Sequence, residues 1–237
     1  VYVNGKLAGS HESGYTPFEF DITQLLKDGS NDLVVRVINP PKRRYIEGLR
    51  TGAPLSQSDI PTWKAGWYYN FGGIWQDVTL TITPRTYIED VFVEPLPKTA
   101  TARVHVTVVS DARGKAELNV DVKPAKGAAK TGGQARKSVQ LKKGSSVHTF
   151  DVKISDMQLW DTENPFLYLC SCRIESKAGA DSLDARFGMR TFTVKGEHFY
   201  LNDKRIVLKG VLQQGVYPRH LVFAPSKDML LQELNLV

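Results

Sequence analysis

Residues 187–211, FGMRTFTVKGEHFYLNDKRIVLKGV, read as a junction between two kinds of structure. A strand ending in Phe187-Gly188-Met189-Arg190 runs into a short hairpin, His198–Leu208, whose tight turn falls at Asn202-Asp203. A polar loop follows Lys209-Gly210-Val211, and then comes APSKDMLLQELNLV, Ala224–Val237, a helical pattern with Pro225 and Ser226 at its start. The chain opens inside an alternating strand, Val1-Tyr2-Val3, without a Met. The expectation from both ends is a piece of a longer protein.

Upstream of the junction nearly everything reads as strand. Alternation marks Leu33–Ile38, Asp77–Ile82, Ile88–Val93, Ala102–Val109, Lys115–Val122, Val147–Ile154 and Asp184–Val194. Gly, Pro, Asn and Asp punctuate these runs at short intervals, which indicates sandwiches rather than βαβ units. One short helical segment, Ile22–Lys27, follows Asp21. Pro84-Arg85 and Thr193–Gly196 divide the chain into 1–84, 85–193 and 194–237.

Composition excludes several classes. At 237 residues and 41% hydrophobic, the chain is long enough for two cores. No apolar run approaches the length of a membrane-spanning helix. The net charge of +6 is local, because KPAKGAAKTGGQARK at 123–137 carries five Lys or Arg and no acid. That stretch reads as a solvated, flexible hairpin loop. Nucleic-acid binding would want aromatics interleaved with the basic residues, and it has none. Cys170 and Cys172 lie on one face of a strand, pointing the same way, and read as small core residues rather than a disulfide or a zinc pair. The five histidines form no pair at ligand spacing, so neither a metal nor a cofactor is expected. No nucleophile elbow or phosphate loop occurs. Neither composition nor motif selects an oligomeric state or a compartment.

The first segment carries a recognisable order of motifs. They are an Asn4-Gly5 hairpin, Gly14-Tyr15-Thr16-Pro17-Phe18 starting a strand that buries Phe18 and Phe20, an Asp21-Ile22-Thr23 connector, and a Gly29-x-Asn31-x-Leu33-x-Val35-x-Val37 strand. Gly72-Gly73-Ile74-Trp75-Gln76-Asp77-Val78 extends the series. In the second segment come Tyr87-Ile88-Glu89-Asp90-Val91-Phe92-Val93 and Trp160-Asp161-Thr162-Glu163-Asn164-Pro165-Phe166-Leu167-Tyr168, then Phe187–Arg190 and Leu201–Val211. In this order the motifs resemble glycoside hydrolase family 2, which includes β-galactosidases, β-glucuronidases and β-mannosidases.

The resemblance implies a mainly β chain: a galactose-binding-like jelly-roll sandwich lacking its first strands, an immunoglobulin-like sandwich, and the first hairpin and helix of a truncated (β/α)8 barrel. It implies a parent enzyme that hydrolyses β-linked glycosides with retention, using two carboxylates at barrel strand ends. No Asn-Glu dipeptide of the family's acid/base kind occurs in this sequence, and Glu163-Asn164-Pro165 reads as a turn leading into a strand. No catalytic residue is therefore expected in this chain.

Carbohydrate is the expected ligand. Residues 61–75, PTWKAGWYYNFGGIW, place aromatics beside polar donors, a combination suited to the apolar faces and hydroxylated edges of a pyranose. Trp63, Lys64, Trp67, Tyr69 and Asn70 are the candidates there. Packing of Trp67, Tyr69 and Trp75 against neighbouring domains fits the same residues. The acidic residue that some β-galactosidases carry in this loop has no match unless Asp59 serves. Gln213, Gln214 and Arg219, after the Lys-Gly-Val segment, are candidates to line the pocket. A non-catalytic carbohydrate-binding or scaffolding module is the alternative reading. A plain immunoglobulin-like spacer fits 85–193 but leaves Gly72–Val78 and the junction hairpin unexplained.

Overall fold

A computed structural model describes residues 1–12, 16–38, 73–74, 76–127, 130–212 and 226–236. They fall into two compact units, Val1–Thr79 with Gln214–Val237, and Leu80–Gln213.

The second unit is an antiparallel sandwich. One sheet holds β4 (Thr86–Leu96), β5 (Thr101–Ser110) and β8 (Gly144–Lys153) in the order β4-β5-β8. The other holds β6 (Gly114–Pro124), β7 (Gly133–Leu141), β9 (Tyr168–Ser176) and β10 (Gly179–Phe187) in the order β10-β9-β6-β7. Three strands facing four is an immunoglobulin-like arrangement. Strict alternation builds its core. Val104, Val106 and Val108 on β5 meet Leu118, Val120 and Val122 on β6 and Cys170, Cys172 and Ile174 on β9, all essentially inaccessible to solvent. β-branched side chains on a pleated face pack well here and lose little rotamer freedom.

Two details close this sandwich. β4, an edge strand, shifts register between Ile88 and Asp90, a bulge, and beside it Asp181 Oδ2 on β10 accepts from Ile88 N at 2.8 Å. Tyr168, fully buried at the start of β9, stacks on Phe187 and meets Phe166 edge-on. Its hydroxyl accepts from Gln158 N at 2.8 Å and lies 3.2 Å from Thr131 Oγ1.

Four expectations change in this unit or at its edge. The basic stretch 123–137 is a loop only in part, because β7 begins at Gly133 and Arg136 pairs with Glu117 on β6 at 3.1 Å. Asp184–Val194 is not one strand. It breaks after Phe187 and resumes as β11 (Phe192–Lys195), because Trp160 N bonds Met189 O where a ladder partner would sit. Asp77–Ile82 alternates but is not paired. Val78, Leu80 and Ile82 stay mostly exposed, and no described residue supplies the ladder an extended segment needs to count as a strand. β7 was not anticipated.

The first unit contains β1 (Tyr2–Val3), β2 (Lys6–Leu7) and β3 (Leu33–Val34) in the order β2-β1-β3. These three short strands do not by themselves trace a jelly roll. The expected Leu33–Ile38 strand shortens to two residues, and Ile22–Lys27 reduces to a single 3-10 turn at Thr23–Leu25. Phe18 is half exposed rather than buried, and no strand forms over 16–20. Helix α1 spans Lys227–Leu234, with the Ser226 side chain accepting from Met229 N at 3.4 Å as its N-cap and Asp228 in the first turn.

Candidate functional site

β11 continues into β12 (His198–Leu201) and β13 (Lys204–Ile206), forming a three-stranded antiparallel sheet within the second unit. Asn202 and Asp203 sit at φ 50° and 63° with Leu201 opposite Lys204, the two-residue turn expected from sequence.

Asn202 does more than turn the chain. Its Oδ1 accepts from Thr191 N at 3.0 Å, its backbone N donates to Thr191 O at 2.9 Å, and its Nδ2 donates to Trp160 O at 3.0 Å. The Arg190 guanidinium lies 4.6 Å from the Trp160 ring centroid, a cation–π contact. Gly188 lies against the same tryptophan, where a Cβ would come within 2.9 Å of Trp160 Cβ. Trp160, Gly188, Met189, Arg190 and Asn202 thus tie the hairpin to the sandwich. Asn202→Ala should destabilise this joint by about 2 kcal/mol, combining the left-handed backbone penalty with lost hydrogen bonds. Faster amide exchange at Thr191 would report it. Asn202→Gly keeps the turn but not the clamp, and should cost less. Equal exchange in wild type and Asn202→Ala would refute the clamp.

The substrate-binding candidates Trp63, Lys64, Trp67, Tyr69, Asn70, Gln214 and Arg219, together with Gln213, Trp75 and Asp59, lie outside the described residues. Glu163-Asn164-Pro165 is a turn, as expected. Asp161 Oδ1 accepts from Glu163 N at 2.9 Å and Asn164 N at 2.7 Å, and Trp160 bridges to Pro165.

Other chemistry-bearing groups serve structure. Cys170 and Cys172 are free and buried with their sulfurs 3.8 Å apart. Hydrogen bonding to the Cys170 sulfur, and then burial, push the Cys172 thiol far up, away from the thiolate a nucleophile needs. His105 lies 3.7 Å from Glu94, stacks beside Phe92 and meets Thr149. His148 is held below the usual histidine range by burial and then by Lys137. Arg103 grips Asp151 at 2.8 and 3.0 Å, which lowers the carboxyl and raises the guanidinium. Among the described residues no cluster of His, Cys, Asp or Glu is arranged to hold a metal.

Sequence reasoning missed the joint's second half. A tight turn at Asn202-Asp203 is legible locally, but the bond from Asn202 to Trp160 O, 42 residues away, has no local signal.

Comparison with known proteins covers almost the whole chain. The family model described as "Glycosyl hydrolases family 2, sugar binding domain" matches residues 1–84, and "Glycosyl hydrolases family 2" matches residues 86–190. A putative beta-glucuronidase of Formosa agariphila is 32% identical over 213 residues, covering 89% of this chain and 24% of the relative. A beta-galactosidase of Thermoanaerobacterium thermosulfurigenes is 29% identical over 228 residues, covering 92% of this chain and 29% of the relative. Among solved structures, a Bacteroides uniformis beta-glucuronidase superposes with a TM-score of 0.76 at 25% identity, over 99% of this chain and 28% of that one. The chain therefore spans under a third of the length of each of these relatives.

Proposed function

Because this chain belongs to glycosyl hydrolase family 2, we propose that it is the non-catalytic N-terminal portion of a retaining hydrolase of β-linked glycosides. The observation that carries this reading is the tiling of two models of one family, in order, over 1–84 and 86–190. The relatives named beta-glucuronidase and beta-galactosidase support a glycosidase as the parent.

In this reading the parts are 1–84, a sugar-binding jelly-roll; 85–193, the immunoglobulin-like sandwich; and 194–237, the start of a (β/α)8 barrel. The β11–β13 sheet supports the last assignment. Phe192 and Phe199 stack at 5.7 Å on the same face as Val194, and all three keep more than a third of their surface exposed. A small sheet with such a face needs another layer to bury it. The acid and the nucleophile would lie on later barrel strand ends, about 5–5.5 Å apart as retention requires. Within this chain, Trp63, Lys64, Trp67, Tyr69 and Asn70 would contact the sugar, with Gln214 and Arg219 at the pocket rim.

The purified 237-residue chain should give no turnover with aryl β-glucuronides or aryl β-galactosides, while a chain extended to the full length of its relatives should turn over one of them. Activity that co-purifies with the short chain would sink the non-catalytic reading. An inactive full-length protein would sink the glycosidase reading.

A further inference from the structure

Asn4-Gly5 is the one Asn-Gly dipeptide in the sequence. Asn-Gly is prone to spontaneous deamidation because glycine, lacking a Cβ, leaves its backbone nitrogen free to attack the preceding side-chain carbonyl carbon. Here the dipeptide forms the turn between β1 and β2, with Asn4 at φ 50° and Gly5 exposed at φ 77°.

The fold occupies the asparagine side chain completely. Nδ2 donates to Leu25 O at 2.9 Å and to Asn31 Oδ1 at 2.8 Å, while Oδ1 accepts from Asp32 N at 3.0 Å. Asn31 in turn holds the bend, accepting from Lys27 N and donating to Lys27 O and Gly29 O, at 2.9 to 3.0 Å. All three bonds of the Asn4 amide therefore go to the connector that leads into β3. They must break before its carbonyl carbon can swing toward Gly5 N.

We propose that Asn4 is a deamidation site gated by the fold, and that its conversion irreversibly removes the two bonds that hold Leu25 and Asn31 to the β1–β2 turn, leaving the connector tied there only at Asp32. When the connector opens, Gly5 N bonds to Asn4 Cγ and the Cγ–Nδ2 bond breaks. Ammonia leaves with the Gly5 amide proton, giving a cyclic imide. Water then opens the imide to aspartate or isoaspartate. One water is consumed, one ammonia is released and no electrons are transferred. The product carries no donor at this position. Its carboxylate faces Leu25 O and Asn31 Oδ1, two acceptors, and cannot remake either bond.

Asn202 supplies an internal control. It occupies the equivalent turn position with a similar clamp, but its successor is Asp203, whose side chain hinders the attack.

The test is peptide mapping with isoaspartate quantification on the purified chain, incubated in buffer and in urea at one pH. Asn4 should deamidate at least about tenfold more slowly when folded, since reaction requires local opening. In urea it should lead every other asparagine, Asn202 included. Asn31→Ala should bring the folded rate severalfold closer to the urea rate, and Asn31→Asp, which keeps the acceptor facing Asn4 Nδ2, should retain more of the protection. If Asn31→Ala does not fold, Asn4→Asp decides, with faster amide exchange expected through Lys27–Asp32. Equal rates in buffer and urea, or unchanged exchange in Asn4→Asp, would overturn the proposal.

Discussion

Gly133→Ala should lower the stability of the sandwich by about 3 kcal/mol or more, the upper end of overpacking costs, because the added carbon meets backbone rather than a movable side chain. A Cβ at this position would run into Lys153 O, with Lys153 C and Val152 Cγ1 both at 3.0 Å. Gly133 opens β7 opposite Val122 of β6, and the end of β8 passes directly over it. The preceding residue is equally constrained. Gly132 sits at φ 154°, bridges to Ser155, and accepts from Ser155 N at 3.0 Å, and a Cβ there would collide with Val122 O. The glycine pair is where the edges of the two sheets come together. Amide exchange on β6 and β9 and a urea midpoint would measure the loss. Gly114→Ala is the control, since its Cβ meets only Leu141 Cδ1 at 4.0 Å, and it should stay within about 0.5 kcal/mol of wild type. Matching midpoints for the two variants would show that the β8 end moves aside at no cost.

That glycine pair also shows where sequence reading ran out. Thr131-Gly132-Gly133 sits in a stretch rich in Gly, Ala and Lys, whose composition speaks for a flexible loop. Steric need and flexibility leave the same residue type behind, and only the crossing chain distinguishes them. β7 was missed for a related reason. Of GQARKSVQL only Val139 and Leu141 are buried, so an edge strand with one mostly polar run shows no clear alternation. The opposite held for β5, β6 and β9. Each lines the middle of the core, and its alternate Val, Leu, Cys and Ile residues are legible without any partner in view. Alternation alone does not make a strand, as Asp77–Ile82 demonstrates, because period 2 reports a face and not a ladder. Turn chemistry transferred well. Asn4-Gly5 and Asn202-Asp203 both adopt the positive-φ turns their residue types favour. The candidate sugar loop was legible as a combination of aromatics and donors, but it lies outside the described residues.

Tyr168→Ala should cost the sandwich about 4 kcal/mol, and Tyr168→Phe about 1–2 kcal/mol, because ring and hydroxyl do separable work. The ring is wholly buried between Phe166 and Phe187, so its removal opens a cavity at the start of β9. The hydroxyl satisfies Gln158 N at 2.8 Å in a chain segment with no ladder partner, and phenylalanine leaves that amide orphaned. Thr131 Oγ1 connects this network to the glycine pair. It donates to Ser155 O at 2.7 Å while sitting 3.2 Å from the tyrosine oxygen. Two loops and the first residue of β9 therefore share one buried set of polar atoms, and their contributions should not add. A double-mutant cycle of Thr131→Val with Tyr168→Phe should return a coupling of about 0.5–3 kcal/mol. Strict additivity would mean that the 3.2 Å approach is packing without hydrogen bonding, and that Gln158 N alone accounts for the hydroxyl's contribution.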